Sequence, residues 1–243
     1  MTKITLGLLV SFLSISAFAH LTDQKINSTQ AVVSDKTPTG IPLDTEWKKQ
    51  IYAYAQKNVA HPSWGLAHSE RNYQVTKELA KKEGFILDED VLFASAYLHD
   101  LGGLAPFAKD GVDHAARSVE IIETLLTQWG YPMSKWPQVK EMILGHIYYG
   151  PAPASLPAQA FRDADIVDFL GSIGVARILA ITLEPGNASP TLKPMIDTLK
   201  SFASSMPGKC SLKSCIDIAT PRKSEMQRFL SEIEAESFHG SAL

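Results

Sequence analysis

The sequence predicts an all-α protein organised as a single helical bundle, and three observations carry that prediction. Apolar residues recur at steps of three and four along most of the chain, and strand-like alternation is scarce. Capping residues and Gly or Pro stops punctuate the pattern at intervals suited to helices. The 243 residues are enough for one sizeable helical domain with small attachments.

Taken in order, residues 1–19 have the layout of a secretory signal peptide. Lys3 gives a positive start, Ile4 to Phe18 form a short apolar run, and Ala17-Phe18-Ala19 supplies the cleavage site. The run falls short of the roughly 20 residues a membrane span requires, so a cleaved signal is preferred to an anchor. The expected location is periplasmic or secreted, with no transmembrane anchor after cleavage. Residues 20–43 are polar, contain Thr37-Pro38-Thr39-Gly40-Ile41-Pro42, and read as a flexible lead-in.

Asp44-Thr45 can cap a first helix carrying Trp47, Ile51, Ala55 and Val59. A second is expected over about 63–83, stopping at Gly84, and a third from Asp88 to about Asp100, ahead of Gly102-Gly103. A fourth runs from about Asp113 to Trp129, and a fifth from Pro137 to Tyr148. A long sixth helix is expected over about 158–183, closed by Pro185-Gly186-Asn187. Two more, about 191–205 and 222–238, flank a loop holding Cys210 and Cys215, the two cysteines of the chain. After export this pair would meet an oxidising compartment, where a disulfide is preferred to a metal site or to free thiols. The working division is a helical domain over 44–183 and a C-terminal helical extension over 184–243. A net charge of −3 shows no basic excess, so no nucleic-acid polymer is expected as a partner.

Five of these helices turn a metal-capable side chain toward their apolar stripe. His68 shares a face with Asn72, Val75 and Leu79; His99 follows Leu92 and Ala96; His114 precedes Ser118 and Ile121. His146 follows Val139 and Met142, and Asp165 lies with Phe161, Asp168 and Phe169. One such histidine alone is better read as a hydrogen-bonded core residue. Five converging helices favour a cation, because buried Asp100 and Asp165 need one. Imidazoles with carboxylates suit iron, manganese or zinc.

Ala67-His68-Ser69-Glu70-Arg71, Tyr97-Leu98-His99-Asp100-Leu101-Gly102 and Arg162-Asp163-Ala164-Asp165-Ile166-Val167-Asp168 together resemble the HD superfamily of metal-dependent phosphohydrolases. The resemblance spans about 50–183 and includes Asp113-His114-Ala115 and Leu144-Gly145-His146, which look like the intervening histidines of two-metal members. It implies His68, His99, Asp100 and Asp165 around a first divalent ion. For His114 and His146 two readings stay open: ligands of a second ion bridged by Asp100, or groups that contact substrate or transfer a proton. Asp163 and Asp168 are candidates for supporting or base roles. Ser63-Trp64-Gly65 departs from the Ser-His-Asp that relatives carry ahead of the first ligand, so the substrate is not carried over.

The implied chemistry is hydrolysis of a small phosphate ester, nucleotides among the candidates, by metal-activated water. Asp100 or Asp168 would orient the water, and His114 or His146 would bind the phosphate or protonate the leaving group. Arg71 either clamps a phosphate or ties an aspartate in place. Lys109, in the Gly102–Asp113 loop that suits a lid, is a weaker substrate candidate; a solvated role is preferred for it. Arg177 with Gly171 and Gly174 points to helix packing and an ion pair. The competing functions are a di-iron oxygenase on the same scaffold and a non-catalytic periplasmic binding module.

Overall fold

Several helices begin where a side chain accepts from their unpaired amides. In the computed structural model, which describes residues 35–182, 184 and 189–243, Thr45 accepts a hydrogen bond from the Lys48 amide and starts α1 (Glu46–Asn58). Gly65 precedes α2 (Leu66–Glu83), which ends at Gly84 in the left-handed region, φ +78°. Asp88 accepts from the amides of Asp90 and Val91 and opens α3 (Glu89–Leu98). Asp113 does the same, through Ala115 and Ala116, for α4 (His114–Gln128). α5 (Trp136–Gly145) and α6 (Leu156–Asp168) follow, then α7 (Gly171–Thr182), α8 (Lys193–Ser205) and α9 (Lys213–Glu236). The described residues contain no strand, only an isolated bridge between Lys36 and Pro42. Among them, no helix is long and apolar enough to cross a membrane.

Three expectations are corrected. The long sixth helix is two helices, α6 and α7. Gly171 takes a left-handed φ of +69° after Phe169-Leu170, and a Cβ at Gly174 would stand 2.2 Å from the Phe169 carbonyl oxygen. These glycines therefore make the turn that sends α7 back along the molecule. The last helix starts at Lys213 and runs through Pro221 rather than beginning after it, so Cys215 sits in its first turn. The lead-in is not loose up to residue 43. Ile41 and Leu43 are buried, and the hydroxyls of Thr37 and Thr39 bond to the buried Glu70 carboxylate. The signal-peptide residues lie outside the described part of the chain.

Two apolar clusters form. One gathers residues of α1, α3, α4 and α5 around Ile51, Phe93, Tyr97 and Ile122; the other gathers α6 to α9 around Ile166, Leu199, Ala219 and Met226. α2 and α6 lie against each other between them, with Tyr73 in the first cluster and Leu79 in the second. Polar side chains on these two helices can thus meet the ends of α3 and α5 at the seam. A disulfide joins Cys210 to Cys215, with Cα atoms 5.6 Å apart.

Candidate metal centre

The centre is built where helix ends leave a polar side chain inside. After α3, His99 and Asp100 begin a tight turn at Leu101–Gly103. A Cβ on Gly102 would stand 2.4 Å from the His114 carbonyl oxygen, so only glycine lets α4 approach this closely. Ser118 of α4 fastens the turn: its hydroxyl donates to the His99 carbonyl at 2.6 Å and accepts from the Gly102 amide at 2.8 Å. His99 is thereby fixed at the floor of the site.

The protonation of each ring follows from its partners. His99 Nδ1 lies 3.0 Å from the Ala96 carbonyl oxygen, and His146 Nδ1 faces the carbonyl of Ile143. A carbonyl only accepts, so both Nδ1 atoms carry the proton and both Nε2 atoms present a lone pair. His68 Nδ1 is held by Asp168 Oδ2 at 2.8 Å, which leaves its Nε2 in the same state. His68 Nε2 and His99 Nε2 are then 3.2 Å apart, with Asp165 Oδ1 3.3 Å from the former and Asp100 Oδ2 3.2 Å from the latter. On the other side of Asp100, His114 Nε2 and His146 Nε2 are 3.0 Å apart and lie 3.6 and 3.5 Å from Asp100 Oδ1.

Acceptor therefore faces acceptor between His68 and His99, and a second histidine pair meets the other oxygen of the same carboxylate. His68, His99 and Asp100 form one group with the spacing to hold a metal ion, and Asp100, His114 and His146 form another. Asn72 adds a buried Oδ1 with no hydrogen-bond partner, while its amide nitrogen lies 3.3 Å from His68 Nε2. Such a set is costly to bury unless cations lie between its members, so the residues present fit one or two divalent ions.

Charge in the site follows the same geometry. Burial pushes the Asp100 carboxyl up, but His99 and His146 beside it outweigh that and hold it well below its ordinary value. Burial pulls the pKa of His68 down, and it pulls His114 down with help from His146. For His146 burial acts downward too, yet the neighbouring Asp100 carboxylate prevails and raises it.

Several sequence candidates are placed elsewhere. Asp168 is buried, with both carboxylate oxygens engaged by neighbouring side chains. Arg71 grips it twice, at 2.7 and 2.9 Å, and Arg177 Nη1 and His68 Nδ1 take Oδ2 at 2.9 and 2.8 Å. Its role is positioning: it fixes the ring of His68, and Arg71 is spent on Asp168 rather than presented to a phosphate. Lys109 is exposed and does not line the cavity described below. Asp163 faces away from the centre, accepting from the amides of Ser211 (2.9 and 3.0 Å) and Leu212 (2.7 Å). It ties the cysteine segment to α6, and burial raises its pKa against those bonds. Asp163→Ala should cost about 1–3 kcal/mol in denaturant unfolding, because it strands the buried amide of Leu212 and unties that of Ser211. The metal content of that variant should stay at the wild-type level; a loss of metal would contradict its placement.

The two groups form the floor of a cavity of about 500 Å³, which Asp100, His114, His146 and Asp165 reach from below. Tyr149 stands at its edge, hydrogen-bonded to Asp113 Oδ2 at 2.5 Å and 3.4 Å from His114 Nδ1. Sequence reasoning missed this tyrosine, which falls on no helical stripe with the ligands; Trp64, from the Ser63-Trp64-Gly65 segment that departs from the relatives' pattern, also lines the cavity.

The HD domain family model matches residues 65–170, which contain all six candidate ligands. A solved structure from Lactobacillus plantarum superposes with a TM-score of 0.59 at 22% identity, covering 78% of this chain and 96% of that one. A predicted HD superfamily hydrolase from an uncultured Thermotogales bacterium gives 0.53 at 25% identity, covering 77% and 89%. Bacillus subtilis YpgQ in complex with ADP gives 0.60 at 18% identity, covering 78% and 94%. No curated protein matches the chain.

Proposed function

The chain belongs to the HD superfamily through residues 65–170, and from that premise we propose that it is a metal-dependent phosphohydrolase acting on small phosphate esters. The observation that supports this most is the pair of His/Asp groups sharing Asp100, whose members Asp100, His114 and His146 line the cavity together with Asp165. His68, His99, Asp100 and Asp165 would hold a first ion, and Asp100, His114 and His146 a second. Divalent ions held there would acidify a water toward neutral pH and offset the charge of the phosphoryl oxygens.

The chain's own residues do the remaining work. Asp168, Ala96 and Ile143 fix three rings so that their lone pairs converge. Asp165, buried beside His68, closes the inner group. Without an ion in that outer group, His114, whose side chain is 30% exposed and lines the cavity, would instead be placed to pass a proton to a departing oxygen. Nucleotides are candidate substrates, supported by the ADP bound to the related YpgQ fold. Export by an N-terminal signal peptide is part of the same proposal and rests on the pattern of residues 1–19.

The test is metal analysis of the purified mature chain together with phosphate release from a panel of phosphomonoesters. Chelation should abolish release, and iron, manganese or zinc should restore it. Undiminished release from metal-free protein would overturn the proposal, as would a failure to retain any of the three metals.

A further inference from the structure

The cavity above the candidate centre has an apolar character that a phosphate-binding pocket does not require. Trp64, Tyr148, Phe169 and Phe202 line it, with Ile178 and Ile181 between them. Among the described residues that line it, none is Lys or Arg. Cations pack behind parts of the wall. Arg177 lies 4.3 Å from the Phe169 ring centroid but bonds to Asp168 and to the Ser63 carbonyl, and Lys209 stands 5.8 Å from the Tyr148 ring.

A nucleoside di- or triphosphate would bring two or three charged groups, of which the centre could neutralise only those it touches. The rest would lie against aromatic and aliphatic carbon without a guanidinium or ammonium partner, which is unfavourable. A single phosphate on an apolar alcohol meets the opposite situation. Its phosphate rests on the floor and its hydrocarbon fills the cavity. The far wall comes from α7 and α8, beyond the residues that hold the candidate ligands, so it can set substrate choice without disturbing the centre.

We propose that the substrate is the phosphomonoester of an apolar or aromatic alcohol, with the C-terminal helices α7 and α8 forming the alcohol-binding wall. This rests on the phosphohydrolase reading. The water oxygen bonds to phosphorus, the ester P–O bond breaks, and the alcohol leaves with a proton, giving inorganic phosphate.

The test uses n-alkyl phosphates from ethyl to hexyl, whose leaving groups are chemically alike, with the metal-loaded full chain. Full burial of the four added methylenes would favour binding up to about 250-fold, and kcat/KM is expected to rise about tenfold or more from ethyl to hexyl as they are partly buried. ATP and ADP should be poorer substrates than hexyl phosphate. Phe202→Ala should shrink the hexyl-to-ethyl ratio. Calorimetry with hexylphosphonate and methylphosphonate, neither of which is hydrolysed, should show the same preference in binding. A flat series, or faster turnover of ATP or ADP, would overturn the apolar-alcohol assignment while leaving the phosphohydrolase reading intact. No hydrolysis of any phosphate ester by metal-loaded protein would overturn both, and equal binding of the two phosphonates would sink the wall by itself.

Discussion

Asp100→Ala should release metal from both halves of the centre and reduce phosphate release to background. The argument is geometric. Asp100 places Oδ2 against His99 and Oδ1 against His114 and His146, so no other residue serves both groups. Its removal also deletes a negative charge that the surrounding histidines hold ionised. The measurement is metal content by mass spectrometry, with circular dichroism to check that the helices survive. Wild-type protein should carry about two ions per chain if the outer group binds. The variant should retain at most one, weakly held by the histidines and Asp165. Full metal content and full turnover in Asp100→Ala would refute the placement of the centre.

The second large effect is expected at Asp168, which touches no cavity atom. Its carboxylate is buried and shared by Arg71, Arg177 and His68. Asp168→Ala leaves the buried Arg177 cation without its counter-charge and should cost about 3–5 kcal/mol of folding stability. Asp168→Asn keeps the shape and can still accept from His68, so it separates the two roles. Loss of ring orientation at His68 should weaken metal binding about 10- to 100-fold. The pH dependence has a defined sign. Burial raises the Asp168 carboxyl, but His68 and Arg71 outweigh it and depress the folded pKa far below 3.8. A depressed carboxylate stabilises fully above the unfolded value and loses its contribution as pH falls toward the folded one. The stability gap between wild type and Asp168→Asn should therefore be constant near neutral pH and narrow below about pH 4. A gap that stayed constant down to pH 2 would remove the ionic explanation.

The positions of the candidate ligands were legible in the sequence because helical spacing is local. A step of three or four puts His68 beside Asn72 and His99 below Ala96, and no tertiary information is needed to know that these face inward. The turn after Asp100 was legible for the same reason, since Gly102-Gly103 marks it. What was not legible depends on which oxygen meets which partner across long separations. Asp168 reads as a candidate base from its place three residues beyond Asp165. Only the return of α7 brings Arg177 onto it, and that return hangs on Gly171 adopting a left-handed φ. Asp163 looks equivalent in sequence, yet it faces Ser211 and Leu212, 48 and 49 residues away. Pro221 misled in the other direction. A proline removes one amide from a helix, and α9 continues through it, held on α6 by Arg222 bonding to the Val167 carbonyl at 2.7 Å.

The two halves of the centre differ in how their rings are held, and this sets an order in time. His68, His99 and His146 are anchored through Nδ1 by buried acceptors, so they are in place before any ion arrives. His114 instead leans on Tyr149, which is 57% exposed and can swing away without opening the core. An ion entering the inner group would find a finished cage, fill it first and leave it last. The outer position would load second and trade its ion readily with solution, so the metal found there would reflect the supply around the protein more than the preference of the site.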